Sequence, residues 1–396
     1  MANLNPHFKR LKREYIFPII EQKLDLLKKE YPDAQILNFG IGDVALPLAP
    51  KIANAISEST FEMTTAKGMR GYGPSSGYPF LKEAITAHEF AHLGITPDEI
   101  FISDGANSDT VNILELFGMS NVIGITDPTY PAYLDVSLLQ GRKKIFSFPC
   151  LPENNFAPMP PKEHCDIVYL CSPNNPTGVA MTRSQLTDWV EYAIRNESLL
   201  LIDNAYEAFI TSSDVPRSIF EIPGAKECAI EFRSFSKSAG FTGLRCAYTI
   251  LPKTIHAKFG SQKVSLHPFW NRRQATKFNG VAYPIQRGAA AVYTKEGQEQ
   301  TRAQVALYQT QAKKLKEGLS QAGLTCYGGT DSPYVWVKTP ESMASWEFFD
   351  SLLKRCHLIC VPGIGFGKHG EGYVRFSGFT TPDQTALALE RFKTLG

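Results

Sequence analysis

Short apolar runs, separated by longer helical stretches, dominate the middle of the chain. The runs lie at residues 100–103, 122–126, 144–148, 167–171, 199–203 and 228–232. Continuous apolar runs of this length are typical of parallel strands that are covered on both faces. Because helical stretches alternate with them, the pattern predicts an α/β fold with a mostly parallel central sheet and helices on both faces.

The two ends of the chain follow a different pattern. Residues 19–30 form an amphipathic stretch, and residues 36–43 predict a short strand that enters a glycine-containing loop. A long helical stretch covers about 285–322 and is followed by two short strands, a helix near 346–356 and a strand at 373–377. This mixture of helices and strands predicts a separate α+β unit.

We therefore expect two domains, as the length of 396 residues allows. Residues 48–288 are expected to form the large domain with the central sheet. Residues 1–47 and 289–396 are expected to form the smaller domain, which includes an N-terminal arm. The long helical stretch near the boundary is expected to be interrupted close to Gly297.

Two motifs in the chain have familiar functional meanings that their context does not support. His88 and His92 belong to a His-Glu-x-x-His sequence, which on a helix would place both imidazoles on one face, as zinc proteases require. No third ligand of the expected pattern follows, so we expect no metal. Residues 365–370 match Gly-x-Gly-x-x-Gly, but the match opens no evident helix and lies outside a βαβ unit, so we expect a turn.

Composition and charge narrow the classes of function. The formal net charge is +2, from 41 basic and 39 acidic residues, so nothing suggests nucleic acid or an anionic membrane as a partner. The eight cysteines are scattered and form no Cys-x-x-Cys pair, which indicates reduced thiols. The N-terminus is polar and basic and has no apolar signal segment, so we expect a cytoplasmic protein.

The most informative candidate chemistry lies at residues 234–245, whose sequence is SFSKSAGFTGLR. Hydroxyl groups and the Arg245 guanidinium are phosphate partners, and glycines let the backbone approach an anion closely. Lys237 in this setting could form an imine with an aldehyde on a phosphate-bearing molecule. The alternative for the segment alone is a Ser/Gly-rich loop with a solvated lysine.

Polar residues at the predicted strand ends extend this chemistry, because ligands of such sheets bind outside the carboxyl ends of the strands. Asp203 could keep a pyridine nitrogen protonated, while Tyr206 and Asn175 could hydrogen-bond to a phenolic oxygen on the ring. Tyr130 could stack on the ring face. Arg375 lies within an apolar strand, where a lone cation is costly, so its favoured role is to clamp a substrate carboxylate. For each residue alone, a cap, a turn, packing or a structural salt bridge is the alternative.

Taken in order, these motifs resemble those of fold-type I aminotransferases of classes I and II. They are Asn-Asn-Pro-Thr-Gly at 174–178, the pair Asp203 and Tyr206, Ser-x-Ser-Lys at 234–237, and the late Arg375. Further stretches are similar to the family of LL-diaminopimelate aminotransferases: residues 15–18, 233–245, 272–280, 332–336 and 370–373. That resemblance spans nearly the whole chain.

The resemblance implies pyridoxal 5'-phosphate as cofactor and a homodimer with shared active sites. The family makes LL-diaminopimelate from tetrahydrodipicolinate with glutamate as donor, for lysine and peptidoglycan synthesis. The catalytic residues would be Lys237, Asp203 and Tyr206. The cofactor contacts would be Ala106, Asn107, Tyr130, Asn175, Asp203, Tyr206, Ser234, Ser236, Lys237, Arg245 and Tyr72. The substrate contacts would be Tyr15, Gly42, Tyr72, Asn107, Tyr130, Asn175, Asn279 and Arg375.

Tyr72 and Asn279 are expected to come from the partner chain, again by resemblance. The chain departs from the family at Ser75 and Asn107, where glutamate and lysine are common. Both positions are expected to face the distal end of the substrate. The loss of a charge at each predicts a relaxed substrate preference, because hydrogen bonds to charged groups contribute about 1.5–3 kcal/mol each.

Three alternatives share parts of this pattern. An aminotransferase for aromatic or simple α-amino acids would have the same cofactor residues. A pyridoxal-phosphate lyase could use the same fold. A non-enzymatic transcription regulator with such a domain would carry a DNA-binding domain ahead of it, whereas here the fold is expected to begin almost at Met1.

Overall fold

A computed structural model describes residues 1–11 and 16–393 of the chain. Tyr15, a predicted substrate contact, lies outside the described residues. Within the described ranges, no helix is long and apolar enough to cross a membrane.

The described chain contains strands and helices in alternation through its middle part. The strands are β1 (Leu37–Asn38), β2 (Ile100–Ser103), β3 (Ile123–Asp127), β4 (Ile145–Pro149), β5 (Ile167–Cys171), β6 (Leu199–Asp203), β7 (Ala229–Ser234), β8 (Ala247–Ile250), β9 (His256–Phe259), β10 (Gln262–Ser265), β11 (Cys326–Gly328), β12 (Tyr334–Lys338), β13 (Leu358–Ile359), β14 (Val361–Pro362) and β15 (Tyr373–Ser377). The α-helices are α1 (Ile16–Glu30), α2 (Pro50–Glu62), α3 (Pro79–Ile85), α4 (Ala106–Asn112), α5 (Ala132–Leu139), α6 (Arg183–Asn196), α7 (Ala225–Cys228), α8 (Phe235–Ser238), α9 (His267–Lys277), α10 (Tyr283–Ala291), α11 (Lys295–Gln321), α12 (Ser345–Cys356) and α13 (Pro382–Phe392).

The central sheet has seven strands in the order β2-β8-β7-β6-β5-β3-β4. β3 pairs in parallel with β4 and β5, and the pairs β5–β6 and β6–β7 are also parallel. β8 runs antiparallel to both of its neighbours. Every residue of β5 is buried, as expected for a strand covered on both faces. The chain is therefore an α/β protein with a mostly parallel central sheet, as predicted.

A second, four-stranded sheet has the order β11-β12-β15-β14 and is wholly antiparallel. α11, α12 and α13 contact this sheet or one another. Its position in the sequence agrees with the expected α+β unit. The domain boundaries near residues 48 and 288 stay a prediction.

The structure corrects several expectations about individual elements. β8 and the β9–β10 hairpin were not predicted from the apolar pattern. The helical stretch after residue 78 does not continue to residue 93, because α3 ends at Ile85 and is followed by a π-helical and then a 3-10 turn. The predicted interruption of the long helical stretch near Gly297 is confirmed, because α10 ends at Ala291 and α11 begins at Lys295 after the cap Thr294.

The His-Glu-x-x-His and Gly-x-Gly-x-x-Gly motifs both lie in short helical turns. His88 and His92 are both exposed, and they fall in the π-helical and 3-10 turns, so the spacing of a regular helix is lost between them. Within the described residues, no three metal-ligating side chains cluster. Residues 365–370 form 3-10 turns, with Gly367 against the carboxylate of Asp127.

Candidate active site

One cavity of about 410 Å³ opens at the carboxyl ends of the central strands. The predicted site residues that line it are Gly42, Ala106, Asn107, Tyr130, Asn175, Asp203, Tyr206, Ser234, Ser236, Lys237, Arg245 and Arg375. Residues that were not predicted also line it: Ile41, Asp43, Tyr133, Cys171, Ala205, Thr242 and Tyr334. Parallel strands end at one edge of the sheet, which explains how residues far apart in sequence meet there.

Lys237 occupies the short helix α8, directly after β7. Its Nζ donates a hydrogen bond to the Gly42 carbonyl oxygen. Burial lowers the pKa of Lys237 to about 8, and the nearby guanidinium groups of Arg375 and Arg245 act in the same direction, while Asp43 opposes them. A lysine with such a pKa has a substantial fraction of neutral, nucleophilic amine near physiological pH.

Asp203 ends β6 at the floor of the cavity, and only 9% of the residue is exposed. Its Oδ2 accepts a hydrogen bond from the Tyr133 hydroxyl at 2.5 Å, and its Oδ1 accepts one from the Ala205 amide at 3.2 Å. Burial raises the pKa of the Asp203 carboxyl, and these two hydrogen bonds oppose the rise. Among the described residues, no basic side chain forms a salt bridge with it.

Arg375 of β15 is 2% exposed and reaches the loops that follow β5 and β1. Its Nη1 donates to Asn175 Oδ1 at 2.7 Å, and its Nη2 donates to the Gly40 carbonyl at 2.6 Å. Its guanidinium lies over the Tyr334 ring, 4.4 Å from the centroid. The Nε is buried and has no hydrogen-bond partner among the described residues. Such a cation can bind a carboxylate with little reorganisation.

Tyr206 lies beside this cluster and is almost fully buried. Its hydroxyl shares a hydrogen bond of 3.0 Å with the Tyr334 hydroxyl. Burial raises the pKa of Tyr206 well above its usual value, and the neighbouring Tyr334 adds to the rise. The phenol is therefore neutral and can donate to an acceptor in the cavity.

Another part of the cavity lining carries groups that can bind an anion. Arg245 Nη1 donates to Ser236 Oγ at 3.4 Å and to the Thr242 carbonyl at 3.2 Å. Ser234 Oγ accepts from the Ser236 amide at 3.1 Å. Gly105 precedes α4 with φ 155°, and a Cβ at this position would lie 2.2 Å from Arg245 Nη2. Hydroxyl groups thus lie near a guanidinium that packs closely against a glycine backbone.

Two predicted residues of the described chain do not line this cavity. Tyr72 is 95% exposed, and Asn279 is exposed at the end of α9. The loops that hold them are neighbours, since a Cβ on Gly280 would lie 3.1 Å from the Pro74 carbonyl oxygen. Tyr15 is outside the described residues.

Sequence reasoning missed Tyr133, Tyr334 and Asp43. Tyr133 follows Tyr130 by three positions in α5, and nothing in the local pattern distinguishes it from a packing residue. Tyr334 lies within a stretch similar to the LL-diaminopimelate aminotransferases, but its contacts with Tyr206 and Arg375 depend on the tertiary structure. Asp43 follows the predicted Gly42, and that adjacency was the available signal.

Known proteins are similar to this chain over nearly its whole length. The pattern of the family "Aminotransferase class I and II" matches residues 34–392. The LL-diaminopimelate aminotransferase of Parabacteroides distasonis is 47% identical over 99% of both chains. That of Methanosphaera stadtmanae is 46% identical over 100% of this chain and 99% of its own.

Solved structures agree as well. The L,L-diaminopimelate aminotransferase from Chlamydomonas reinhardtii has a TM-score of 0.93 at 39% identity and covers 100% of this chain and 98% of its own. An aspartate aminotransferase from Thermus thermophilus has a TM-score of 0.85 at 20% identity over 100% of both chains, which shows the shared fold. Enzymes of this family generally depend on pyridoxal phosphate and act on amino and keto acids. The family match over residues 34–392 and the full-length relatives show that the chain belongs to the aminotransferase class I and II family.

Proposed function

We propose that this chain is a pyridoxal-5'-phosphate-dependent LL-diaminopimelate aminotransferase of the cytoplasm. It would transfer an amino group between glutamate or 2-oxoglutarate and tetrahydrodipicolinate or LL-2,6-diaminopimelate, for lysine and peptidoglycan synthesis. Full-length relatives at 46–47% identity with that name support the substrate. The observation that carries the chemistry is the position of Lys237 and Asp203 on one cavity, the first with a lowered pKa and the second buried without a cation.

The residues present fit the cofactor at both of its polar ends. The Ser234 and Ser236 hydroxyls and Arg245 would hold the phosphate, and Gly105 leaves room for the Arg245 guanidinium. Asp203 would pair with the protonated ring nitrogen, which would supply the cation that this buried carboxylate lacks among the described residues. Tyr206 and Asn175 would contact the phenolic oxygen, and Tyr130 the ring face.

When bound, pyridoxal phosphate supplies an aldehyde for amines and a ring that withdraws electrons from the substrate. Asp203 keeps the proton on the ring nitrogen, and Arg375 binds the substrate α-carboxylate. Once free, the Lys237 amine would take the proton from the substrate α-carbon as general base and deliver it, as general acid, to the cofactor carbon that carried the aldehyde. A pKa of about 8 suits this exchange.

The decisive assay uses purified holoenzyme with LL-diaminopimelate and 2-oxoglutarate. We expect glutamate to form, and Lys237→Ala to abolish its formation. Phenylalanine and tyrosine as donors test the alternative of an aromatic aminotransferase, and a preference for either would contradict the proposed substrate. Pyruvate or ammonia released without a keto acid acceptor would instead identify a lyase.

The second part of the proposal is a homodimer in which Tyr72 and Asn279 enter the partner's site. The exposure of Tyr72 and its absence from the cavity of its own chain support this arrangement. Mixing inactive Lys237→Ala with weakened Tyr72→Ala chains should restore about a quarter of wild-type activity after subunit exchange, because hybrid dimers contain one intact site. If the mixture stays at the sum of its components, the shared site is wrong.

The third part is a relaxed preference at the distal end of the substrate. Asn107 lines the cavity, and the Ser75 loop lies beside Gly280 in the same chain. Without charges at these positions, the enzyme should discriminate less sharply against amino acids that lack the distal amine. Ser75→Glu and Asn107→Lys should each sharpen the ratio of kcat/KM values about tenfold or more. An unchanged ratio in both variants would remove this hypothesis.

A further inference from the structure

Tyr133 is a buried residue that touches two of the proposed cofactor contacts. It is 1% exposed, and its hydroxyl lies 2.5 Å from Asp203 Oδ2. Its ring meets the Tyr130 ring edge to face, with centroids 5.7 Å apart. The Ala205 amide occupies the other carboxylate oxygen of Asp203 at 3.2 Å. Both oxygens are therefore held, and the orientation of the carboxylate depends on these two donors.

Packing against Tyr169 holds the Tyr133 ring in place. Its ring stacks on Tyr169 with centroids 4.6 Å apart and an angle of 7°. The Tyr169 hydroxyl donates to the Thr110 carbonyl of α4 at 2.6 Å. The stacked pair thus connects β5, α4 and α5, and it leaves the Tyr133 hydroxyl little freedom to point elsewhere.

We propose that Tyr133 is a positioning residue that keeps the Asp203 carboxylate ionised and oriented toward the ring nitrogen of the bound cofactor. The inference rests on the proposed function for its cofactor, but the hydrogen bond belongs to the protein itself. A phenol that donates to a carboxylate favours the charged form of that carboxylate. Without the donor, burial would favour the protonated acid, which cannot hold a proton on a pyridine nitrogen.

The other titratable groups near Asp203 provide no positive charge that would stabilise its carboxylate. The titratable groups that interact electrostatically with Asp203 are Tyr133, Cys171, Tyr206 and Tyr334. Burial raises the pKa of each of them, so all four are neutral at physiological pH and none offers a countercharge. For Tyr133, this also ensures that its hydroxyl keeps the proton it donates.

The test compares Tyr133→Phe with Tyr169→Phe. Each removes one buried hydroxyl from the same stacked pair, but the second hydroxyl bonds to a backbone carbonyl and not to Asp203. The first readout is the titration of the Asp203 carboxyl in the cofactor-free protein, by carbon NMR with aspartate labelled at Cγ and Asp203→Asn for assignment. The second is the nitrogen NMR shift of ring-labelled pyridoxal phosphate in the holoenzyme.

In Tyr133→Phe we expect Asp203 to titrate at higher pH, the ring nitrogen to move toward its unprotonated shift, and kcat to fall about tenfold or more. In Tyr169→Phe all three should stay within about twofold of wild type. Unchanged Asp203 titration in Tyr133→Phe would overturn the inference, and so would a Tyr133→Phe protein that unfolds while Tyr169→Phe stays folded. If the wild-type protein binds no cofactor, the proposed function is wrong. The titration of the Asp203 carboxyl in the cofactor-free protein still tests whether Tyr133 keeps that carboxylate ionised.

Discussion

Three charged side chains of the site line one cavity without a countercharge beside them. Lys237, Asp203 and Arg375 all lie on one largely buried cavity, and none of them has an opposite charge as a close hydrogen-bond partner. Such positions cost stability unless a ligand satisfies them. This is the expected signature of a site that is completed by a cofactor and a charged substrate.

The lowered pKa of Lys237 predicts a pH-dependent stability of the cofactor-free protein. The pKa is about 8 in the folded chain against a usual 10.5, so between these values the unfolded chain binds more protons than the folded one. Stability from this residue therefore rises with pH across that interval. Lys237→Met should remove the rise.

The measurement is urea unfolding of wild type and Lys237→Met at about pH 7.5 and pH 10, read as the difference between the two proteins. Lys313→Met is the control, because that side chain is 75% exposed on α11. An identical pH dependence in wild type and Lys237→Met would show that the amine is not buried as described.

Arg375 predicts a defect in substrate binding that a lysine cannot repair. Arg375→Lys loses the paired bonds to Asn175 and Gly40 and the stacking on Tyr334. We expect KM for amino acids to rise and kcat/KM to fall about tenfold to a hundredfold. Steady-state kinetics with LL-diaminopimelate measures both.

The matched control is Arg142→Lys. Arg142 is 1% exposed, but it donates to the carbonyls of Leu114, Phe117 and Gly118, outside the cavity. This variant should lower the thermal stability while leaving KM near the wild-type value. A raised KM in both variants would mean that loss of any buried arginine disturbs the site.

At the scale of elements, the contact between the start of α4 and the loop after α8 decides the anion end of the cavity. Gly105 has no room for a Cβ beside Arg245 and adopts a backbone conformation that favours glycine. Gly105→Ala should displace the guanidinium and raise the dissociation constant of pyridoxal phosphate about tenfold or more. Cofactor titration followed by absorbance measures it.

Gly243→Ala is the control for this variant. Gly243 lies in the same lysine segment, and a Cβ there would meet no atom within 4 Å. We expect its cofactor affinity to match wild type. If both variants bind pyridoxal phosphate equally weakly, the effect comes from the loss of backbone freedom at any glycine and not from the contact with Arg245.

At the scale of the whole molecule, a buried ionic cluster behind the site joins distant parts of the chain. Arg233 of β7 donates to Glu231 and Glu89 at 2.5 and 2.8 Å and lies 3.5 Å from Glu207. The Tyr293 hydroxyl, between α10 and α11, also donates to Glu89. Three carboxylates surround the Arg233 guanidinium, and the Glu207 Oε2 has no hydrogen-bond partner among the described residues.

Glu207 therefore predicts a stability that falls as pH rises. Burial raises its pKa to about 7 from the usual 4.5, and Arg233 opposes the rise. The folded chain binds more protons than the unfolded chain between these values, so the contribution is full below about pH 4.5 and is lost as pH passes 7. Glu207→Gln should be more stable than wild type at pH 8 by on the order of 1–3 kcal/mol, with a smaller gain at pH 5.5.

Urea unfolding at the two pH values measures this gain. Glu317→Gln serves as control, since that side chain is 56% exposed on α11 and should change stability little at either pH. A Glu207→Gln protein that is less stable than wild type at pH 8 would show that the ion pair with Arg233 outweighs the burial of the charge.

Local sequence patterns predicted much of the fold and of the candidate site. β2, β5 and β6 have the predicted bounds, because continuous apolar runs bounded by polar residues depend on burial alone. The residues that follow the strands were likewise predicted, since the carboxyl edge of a parallel sheet brings strand ends together whatever lies between them. The resemblance then supplied the family, which the comparisons bear out.

Other features depend on contacts that no local pattern encodes. Tyr133 and Asp203 are 70 residues apart, and Arg375 reaches the Gly40 carbonyl across 335. The reversed direction of β8 and the break of α3 at Ile85 likewise follow from neighbours in space. The sequence by itself determined the central strands β2 to β7 and the reactive groups at their ends. Only the tertiary structure decided which buried donor meets which carboxylate, because hydrogen bonds and desolvation act through space and not along the chain.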